Sequence, residues 1–244
     1  HNLLVVEDAA QAVGVSVDGQ YAGTFGDFGV YSFHSHKNIS TLGEGGMLVL
    51  QSSDLAKVVP LLRHNGHCDF PFERADYWKP AMGNVDFPVL NARRLWPMNA
   101  CLGEVECALG EKLLGRVDEI NDVKRRRAIK FIDNLSAYPE LVFHREDTPR
   151  HNYHLLVAMF TNDLRDQFIR RMADHHRIQC VVQYCPLNRY PFYYTLGFGE
   201  ANCPKTDLFY DNMVSFPFHH MLTDSQISLI IDSTKETLDW IRSQ

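Results

Sequence analysis

The sequence predicts an α/β fold, in which a domain with a mainly parallel sheet is followed by a small α+β domain. Two apolar runs near the amino terminus, residues 3–6 and 28–33, are typical of buried strands, and each leads directly into polar residues. Residues 117–135 have the apolar periodicity of a long helix, and strand-like and helix-like segments alternate after Pro139. We therefore expect residues 1–126 to form the first domain. Residues 127–244, including the linking helix, are expected to form the second.

The composition narrows the class of protein. Of the 244 residues, 45% are hydrophobic, which is enough to bury a substantial core. The net charge of -6 and the pI near 6.0 argue against nucleic acid as a partner. Six cysteines without CxxC spacing indicate reduced thiols. No apolar run reaches membrane-spanning length and no signal peptide is recognisable, so we expect a soluble, cytoplasmic protein without membrane contact.

The first two predicted strands place several polar groups at one sheet edge. The run at residues 3–6 ends in an acid pair that includes Asp8, and the run at residues 28–33 leads to Ser32, His34 and Lys37. In open α/β sheets the carboxyl ends of parallel strands face the ligand crevice. An acid, a hydroxyl and an amine are therefore expected to meet there.

These three groups are the ones that pyridoxal phosphate requires. The cofactor needs an amine for its Schiff base, a carboxylate to keep its ring nitrogen protonated and donors for its phosphate. Lys37, Asp8 and Ser32 could supply them. The pattern also permits a simpler interpretation, in which Asp8 caps a helix that begins at Ala9, Lys37 lies on the surface and Ser32 is an ordinary strand hydroxyl.

The remaining elements follow in order. A strand is predicted at residues 47–50, and then a helix to about residue 62, capped by Ser53 or Asp54. Residues 64–99 lack periodicity and predict mostly loop. Residues 153–160 and 178–184 read as strands and residues 164–177 as a helix. A last helix at residues 225–241 has Thr223 and Asp224 as its expected cap.

No metal site is predicted. The segment HNGHC, residues 64–68, matches no ordinary zinc spacing and is not followed by a second ligand pair. The histidine doublets at residues 175–176 and 219–220 would each need a partner that the sequence does not identify.

Two segments together resemble a known family. EDAAQAVG at residues 7–14 and GDFGVYSFHSHKNISTLGEGG at residues 26–46 resemble the signature of the DegT/DnrJ/EryC1/StrS family, the pyridoxal phosphate dependent sugar aminotransferases of fold type I. The resemblance implies that Asp8 pairs with the pyridine nitrogen and that Gln11 lies near the ring oxygen. It also implies that Ser32 binds the phosphate and that Lys37 is the Schiff-base lysine.

The resemblance extends over the rest of the chain. Asn99 matches an asparagine that reaches the cofactor phosphate of the neighbouring subunit, which implies a homodimer with shared active sites. His34, His154 and Tyr184 are the candidates on the substrate side. The family usually has arginine where Cys101 stands and histidine where Asn188 stands, and these departures put in doubt any contact made from those positions.

The resemblance implies transfer of an amino group from glutamate or glutamine to a keto group of a nucleotide-linked sugar or a cyclitol. Related sugar dehydratases carry histidine at the position of Lys37, so dehydration is disfavoured. In the family, a preceding segment supplies a glycine-rich turn and an aromatic cover for the cofactor. The chain is therefore expected to be a carboxyl-terminal part with an incomplete large domain. An inert fragment or a non-catalytic binding module is the remaining alternative.

Overall fold

A computed structural model describes residues 1, 3–68, 83–90 and 92–244. The chain divides into two compact units, His1–Val117 and Asp118–Gln244. This division falls at the start of the long helix, whereas the expected domain boundary at residues 126/127 lies inside that helix. The assignment of functional domains to these units stays a prediction. None of the helices in the described ranges is long and apolar enough to cross a membrane.

The first unit is organised around a three-stranded sheet in the order β1-β4-β5, with strands β1 (Val6–Asp8), β4 (Phe28–Ser32) and β5 (Gly46–Leu50). The central strand β4 runs parallel to β1 and antiparallel to β5, so these three strands make a mixed sheet. A two-stranded ladder of β2 (Ser16–Val17) and β3 (Gln20–Tyr21) lies between β1 and β4 in the sequence.

The run at residues 3–6 is not the buried strand that its apolarity predicts. Strand β1 starts only at Val6 and includes the acid pair, and Leu3 and Val6 are 76% and 64% exposed. The continuous apolar pattern predicts burial only where both faces of a strand are covered. Here β1 is an edge strand of the described sheet, and the side chains of residues 3–6 are exposed.

Two helices and two small ladders complete the first unit. Helix α1 (Ser53–Arg63) is capped by Ser52, whose Oγ accepts from the Leu55 backbone N–H at 3.3 Å, and not by Ser53 or Asp54. Strands β6 (His67–Cys68) and β7 (Asn84–Val85) pair with each other, as do β8 (Val89–Leu90) and β9 (Arg93–Arg94). Helix α2 (Glu104–Leu114) follows.

The loop predicted at residues 64–99 is therefore interrupted by two-residue strands. These strands are too short for a period-two pattern to be visible in the sequence. Residues 69–82 and 91, which belong to the same predicted loop, lie outside the described residues.

The second unit is an antiparallel sheet packed with helices, as expected of an α+β domain. Its sheet has the order β10-β11-β12, formed by β10 (Leu141–Phe143), β11 (Leu156–Phe160) and β12 (Met213–Phe216). Its long helices are α3 (Val117–Asn134), α4 (Arg165–His176) and α7 (Asp224–Arg242), and α7 begins with a capping box at Thr223 as predicted. One core joins these elements and includes the buried side chains of Phe131, Leu156, Phe168, Val214 and Leu238.

The segment between β11 and α7 departs from the predictions. Residues 178–184 do not form a strand, since their only pairing in the described structure is an isolated bridge between Val181 and Ser215. The strand beside β11 is instead β12, four residues that are all buried and show no alternation. Several short elements lie between residue 184 and β12. They are a turn at Leu187–Arg189, α5 (Pro191–Tyr193), a wider turn at Tyr194–Phe198 and α6 (Pro204–Asn212).

Candidate active site

The parallel pairing of β1 with β4 brings Asp8 and Ser32 to the same edge of the sheet. Asp8 is in register with Val30, and Ser32 lies two residues further along β4. Side chains two residues apart on a strand point to the same face, so Asp8, Val30 and Ser32 share one face. The register thus places the carboxylate and the hydroxyl on one face at the carboxyl ends of neighbouring strands, and their shared role stays a prediction.

Asp8 has one of its two carboxylate oxygens engaged locally. Oδ1 accepts a hydrogen bond from the Ala10 backbone N–H at 3.1 Å, which forms a turn rather than the helix considered for the residues after Ala9. Oδ2 has no hydrogen-bond partner among the residues that the structure describes. The Asp8 side chain is exposed and can receive a ligand.

Lys37 lies in the loop that continues from β4. Its backbone N–H donates to the His34 carbonyl at 2.9 Å, and the next two residues, Asn38 and Ile39, are buried. This anchoring fixes where the side chain leaves the backbone. The side chain is half-buried, and its amine has no hydrogen-bond or ion-pair partner within the described ranges.

The loop around Lys37 is closed by contacts between its two arms. Phe33 N–H donates to the Gly45 carbonyl at 2.7 Å, and Thr41 N–H donates to the Phe33 carbonyl at 3.0 Å. Thr41, which is 1% exposed, lies so close to Gly45 that an added Cβ there would be 2.1 Å from Thr41 Oγ1. A glycine is therefore required at position 45, and the loop that carries Lys37 has a defined shape.

The opposite face of the sheet is covered by the segment before β4. Glu7 Oε2 accepts from Gly23 N–H at 2.7 Å and Oε1 accepts from Gly26 N–H at 2.5 Å. Burial tends to raise the pKa of the Glu7 carboxyl, but the N–H groups of Gly26, Gly23 and Phe25 outweigh it and lower the pKa below its ordinary value. Glu7 therefore fastens the covering segment to β1.

Tyr31 makes a second link on that face. Its hydroxyl donates to the Ala22 carbonyl. Burial, followed by the negative charge of Glu7, raises the pKa of Tyr31 and keeps the hydroxyl protonated as a donor. Sequence reasoning missed both supporting residues, because the turn amides that they bind cannot be located from residue types. The acid pair at the end of β1 was the one available signal.

His34 and Gln11 lie beside this edge. The Nδ1 atom of His34 accepts from His36 N–H at 3.2 Å, so a neutral ring carries its proton on Nε2, which lies 3.7 Å from Glu44 Oε1. Gln11 is in the turn that follows β1 and is exposed. Both residues thus belong to the same part of the first unit as Asp8 and Lys37.

Asn99 is held beside the end of α1. It forms an isolated antiparallel bridge with His64, and its Oδ1 accepts from Cys101 N–H at 3.2 Å. Helix α2 starts later, after Gly103, so Asn99 stabilises a turn and is not the cap of that helix. Its side chain is exposed.

His154 and Tyr184 belong to the second unit. His154 is half-buried in the bend that precedes β11, not within the strand as predicted, because Tyr153 has a positive φ of 46° and breaks the extended pattern. Its backbone carbonyl accepts from Lys124 Nζ at 3.2 Å. Tyr184 is 63% exposed, so it is not a core residue and its ring is accessible.

A comparison with known protein families identifies the family of this chain. The model of the DegT/DnrJ/EryC1/StrS aminotransferase family matches residues 1–235. The chain belongs to this family. Members of the DegT/DnrJ/EryC1/StrS family depend on pyridoxal phosphate, and the fold type I class predicted from the sequence is confirmed.

Individual relatives in the family act on sugars and cyclitols, according to their names. The chain is 30% identical over 243 residues to a GDP-perosamine synthase from Caulobacter vibrioides, covering 98% of this chain and 60% of that protein. It is 34% identical over 128 residues to an L-glutamine:2-deoxy-scyllo-inosose aminotransferase from Streptoalloteichus tenebrarius, covering 52% of this chain and 28% of that protein.

Among solved structures, the Spr1654 protein from Streptococcus pneumoniae in its pyridoxal phosphate form has a TM-score of 0.78. Its sequence identity is 23%, with coverage of 98% of this chain and 58% of that one, and a likeness at this identity is one of fold. The chain spans about three fifths of the length of the curated relatives it matches.

Proposed function

We propose that this chain carries the cofactor-binding lysine of a pyridoxal phosphate dependent aminotransferase. The observation that carries the proposal is the position of Lys37. This half-buried residue, whose amine has no partner in the described structure, lies in the loop that leaves the sheet at the edge where Asp8 and Ser32 lie. Family membership supports the same reaction class.

The groups at this edge fit the cofactor. An amine, a carboxylate with one unengaged oxygen and a hydroxyl are the donor set that an aldehyde, a pyridine nitrogen and a phosphate require. When bound, pyridoxal phosphate supplies an electron sink that stabilises the carbanion formed at the amino donor's α-carbon. The chemistry of the residues present is therefore consistent with the cofactor that the family uses.

Each residue then has a definite task. Lys37 would bind the cofactor covalently and, once released, would act as the proton carrier at its amine. Asp8 would hold the proton on the pyridine nitrogen through its carboxylate, and Gln11 would bind near the ring oxygen. Ser32 would donate to the phosphate, as would Asn99 from a neighbouring subunit.

The substrate proposal is a nucleotide-linked keto sugar, or a cyclitol, as acceptor, with glutamate or glutamine as donor. The names of the two relatives support both acceptor classes, and one of those names supports glutamine. His34, His154 and Tyr184 are proposed on the substrate side, and the exposure of Tyr184 supports an accessible ring. A cytoplasmic location stays a prediction.

A homodimer with shared active sites is also proposed. Asn99 is exposed, and next to it in the sequence Trp96 and Met98 are 80% and 67% exposed. Large exposed apolar side chains beside a residue that is expected to serve the neighbouring active site are consistent with a covered interface.

The test is an absorbance titration of the protein with pyridoxal phosphate. We expect a visible band that borohydride abolishes, and we expect Lys37→Ala to lack it. Lys57→Ala is the matched control, because Lys57 is an exposed lysine of the same unit paired with Asp54. A band that persists in Lys37→Ala would overturn the assignment. Absence of the band from the unaltered protein would favour a non-catalytic binding module.

A further inference from the structure

The fold places a third potential metal ligand beside the histidine doublet at the end of α4. His175 and His176 are the last two residues of α4, and helix α7 packs against α4 and brings Glu236 beside them. Thr237, the next residue of α7, is fixed against α4 by a hydrogen bond from its Oγ1 to Met172 Sδ at 3.3 Å. The two helices therefore hold the three side chains in a defined neighbourhood.

The distances among these side chains suit a metal ion. One potential ligand atom from each of the three residues lies within 4.8 Å of the others. His175 Nε2 and Glu236 Oε1 are 3.4 Å apart. Zinc–nitrogen and zinc–oxygen bonds of about 2.0–2.1 Å in a tetrahedron place neighbouring ligand atoms about 3.3 Å apart. The His175–Glu236 spacing is therefore already that of two ligands on one ion.

The surroundings also favour a cation reached from solvent. His176 Nε2 is buried and has no hydrogen-bond partner in the structure, so one ring nitrogen is unsatisfied. The site lies at the carboxyl end of α4, where the helix dipole attracts positive charge. His175 also lines an open surface cavity of ≈ 440 Å³. Arg170 and Arg171 line the same cavity and oppose a cation there, and the Arg171 guanidinium carbon is 4.5 Å from the Trp240 ring centroid.

We propose that His175, His176 and Glu236 form a binding site for a divalent first-row metal ion, with zinc as the best fit, that ties the end of α4 to α7. Two imidazoles and one carboxylate are a ligand set that zinc uses, and water fills the fourth position. The site lies in the second unit and involves none of the residues assigned to the cofactor. An ion bound there would join two helices that share the core of that unit.

The test is equilibrium dialysis of the full chain against Zn²⁺, with Co²⁺ as a spectroscopic probe. We expect one ion per chain with a dissociation constant at or below about 100 μM. Glu236→Gln and His175→Gln are expected to weaken that binding at least about tenfold. Glu200→Gln, which alters an exposed carboxylate elsewhere in the same unit, is the control and should bind as the unaltered protein does.

Two further readouts separate this site from binding elsewhere. Saturating Zn²⁺ should raise the melting temperature of the unaltered protein by about 3–6 °C, and this rise should be lost in both variants. Bound Co²⁺ should show d–d bands without sulfur charge-transfer bands. Unchanged affinity in both variants, or charge-transfer bands that indicate the exposed cysteine thiols, would overturn the proposal, as would the absence of binding.

Discussion

The role proposed for Asp8 requires a negative charge on its carboxylate. Its Oδ1 is committed to the Ala10 N–H, so the other oxygen is the one available for a protonated pyridine nitrogen. An amide at this position keeps the hydrogen-bond acceptor for the turn but carries no negative charge to hold that proton. The turn and the chemistry can therefore be separated by a single substitution.

We predict that Asp8→Asn retains covalent binding of pyridoxal phosphate but slows the first half of amino transfer on the order of a hundredfold. Stopped-flow absorbance with glutamate or glutamine as donor measures this rate. Asp54→Asn, an exposed acid of α1 paired with Lys57, is the control and should leave the rate unchanged. Equal rates for Asp8→Asn and the unaltered protein would remove Asp8 from the reaction.

Lys124 is a second residue with an unusual environment. Lys124 is 3% exposed, and burial lowers its pKa from 10.5 to about 7. Its Nζ donates to the His154 carbonyl and lies 5.3 Å from the Phe218 ring centroid. Between these two pH values the unfolded chain holds one proton more than the folded chain at this site. The contribution of Lys124 to the free energy of unfolding therefore rises with pH from about 7 to 10.5, and below pH 7 the destabilisation is fully present.

We predict that Lys124→Met removes this pH dependence. Urea unfolding between pH 7 and 10 should show, for the unaltered protein relative to the variant, a slope of up to about 1.4 kcal/mol per pH unit. Lys130→Met, an exposed lysine on the same helix α3, should retain the slope of the unaltered protein. Parallel stability curves for Lys124→Met and the unaltered protein would show that the buried amine stays charged.

At the scale of elements, strand β4 and the segment that covers it are in very close contact. A Cβ added at Gly29 would lie 1.8 Å from the Gly23 carbonyl oxygen, which is backbone and cannot move aside without breaking the Gly23–Glu7 hydrogen bond. The position thus needs glycine for space and not for its backbone angles. Asp8 and Ser32 lie on the opposite face of the same two strands, so any displacement of β4 moves the candidate site.

We predict that Gly29→Ala lowers the free energy of unfolding by about 2–3 kcal/mol and weakens binding of pyridoxal phosphate. Thermal unfolding and the absorbance titration measure the two effects. Gly115→Ala is the control, because the nearest atoms to a new Cβ there are at 3.6 and 3.7 Å and the backbone is helical. A Gly29→Ala protein as stable as the control would contradict the close packing described here.

The elements also show which patterns in the sequence were informative. Helices α3 and α7 were predicted because their apolar residues recur at helical spacing, and Thr223 marks the start of α7. Strand β12 was missed because its four residues are buried on both faces, and the apolar run at residues 178–184 was wrongly preferred as the strand. A short buried strand gives no periodicity, so only its pairing partner reveals it.

For the candidate site, the sequence predicted the placement of Asp8 and Ser32 because parallel strands end at a common edge. It could not predict the support of that edge. Glu7 accepts a hydrogen bond from the backbone N–H of Gly23, which is distant in the sequence, and Thr41 donates to the Glu44 carbonyl within its own loop. Residue types alone do not predict such contacts with the backbone. The family signature supplied the roles of the side chains, and the fold supplied the reason for their positions.

At the scale of the whole molecule, the proposed dimer makes a specific prediction. Sedimentation velocity should show a dimer or a larger assembly, and Trp96→Glu should shift the protein toward the monomer because it places a charge on a large apolar surface next to Asn99. Met221→Glu, which charges an apolar side chain that is 72% exposed in the second unit, should not do so. An unaltered protein that transfers amino groups as a monomer would exclude shared active sites.

The measurement that tests the central claim most directly is the identification of the lysine that binds the cofactor. The folded protein would be saturated with pyridoxal phosphate, reduced with borohydride, digested and sequenced by tandem mass spectrometry. We predict one pyridoxyl group per chain, on the peptide that contains Lys37. An unmodified Lys37 peptide, or labelling spread equally over exposed lysines such as Lys57 and Lys130, would contradict this account.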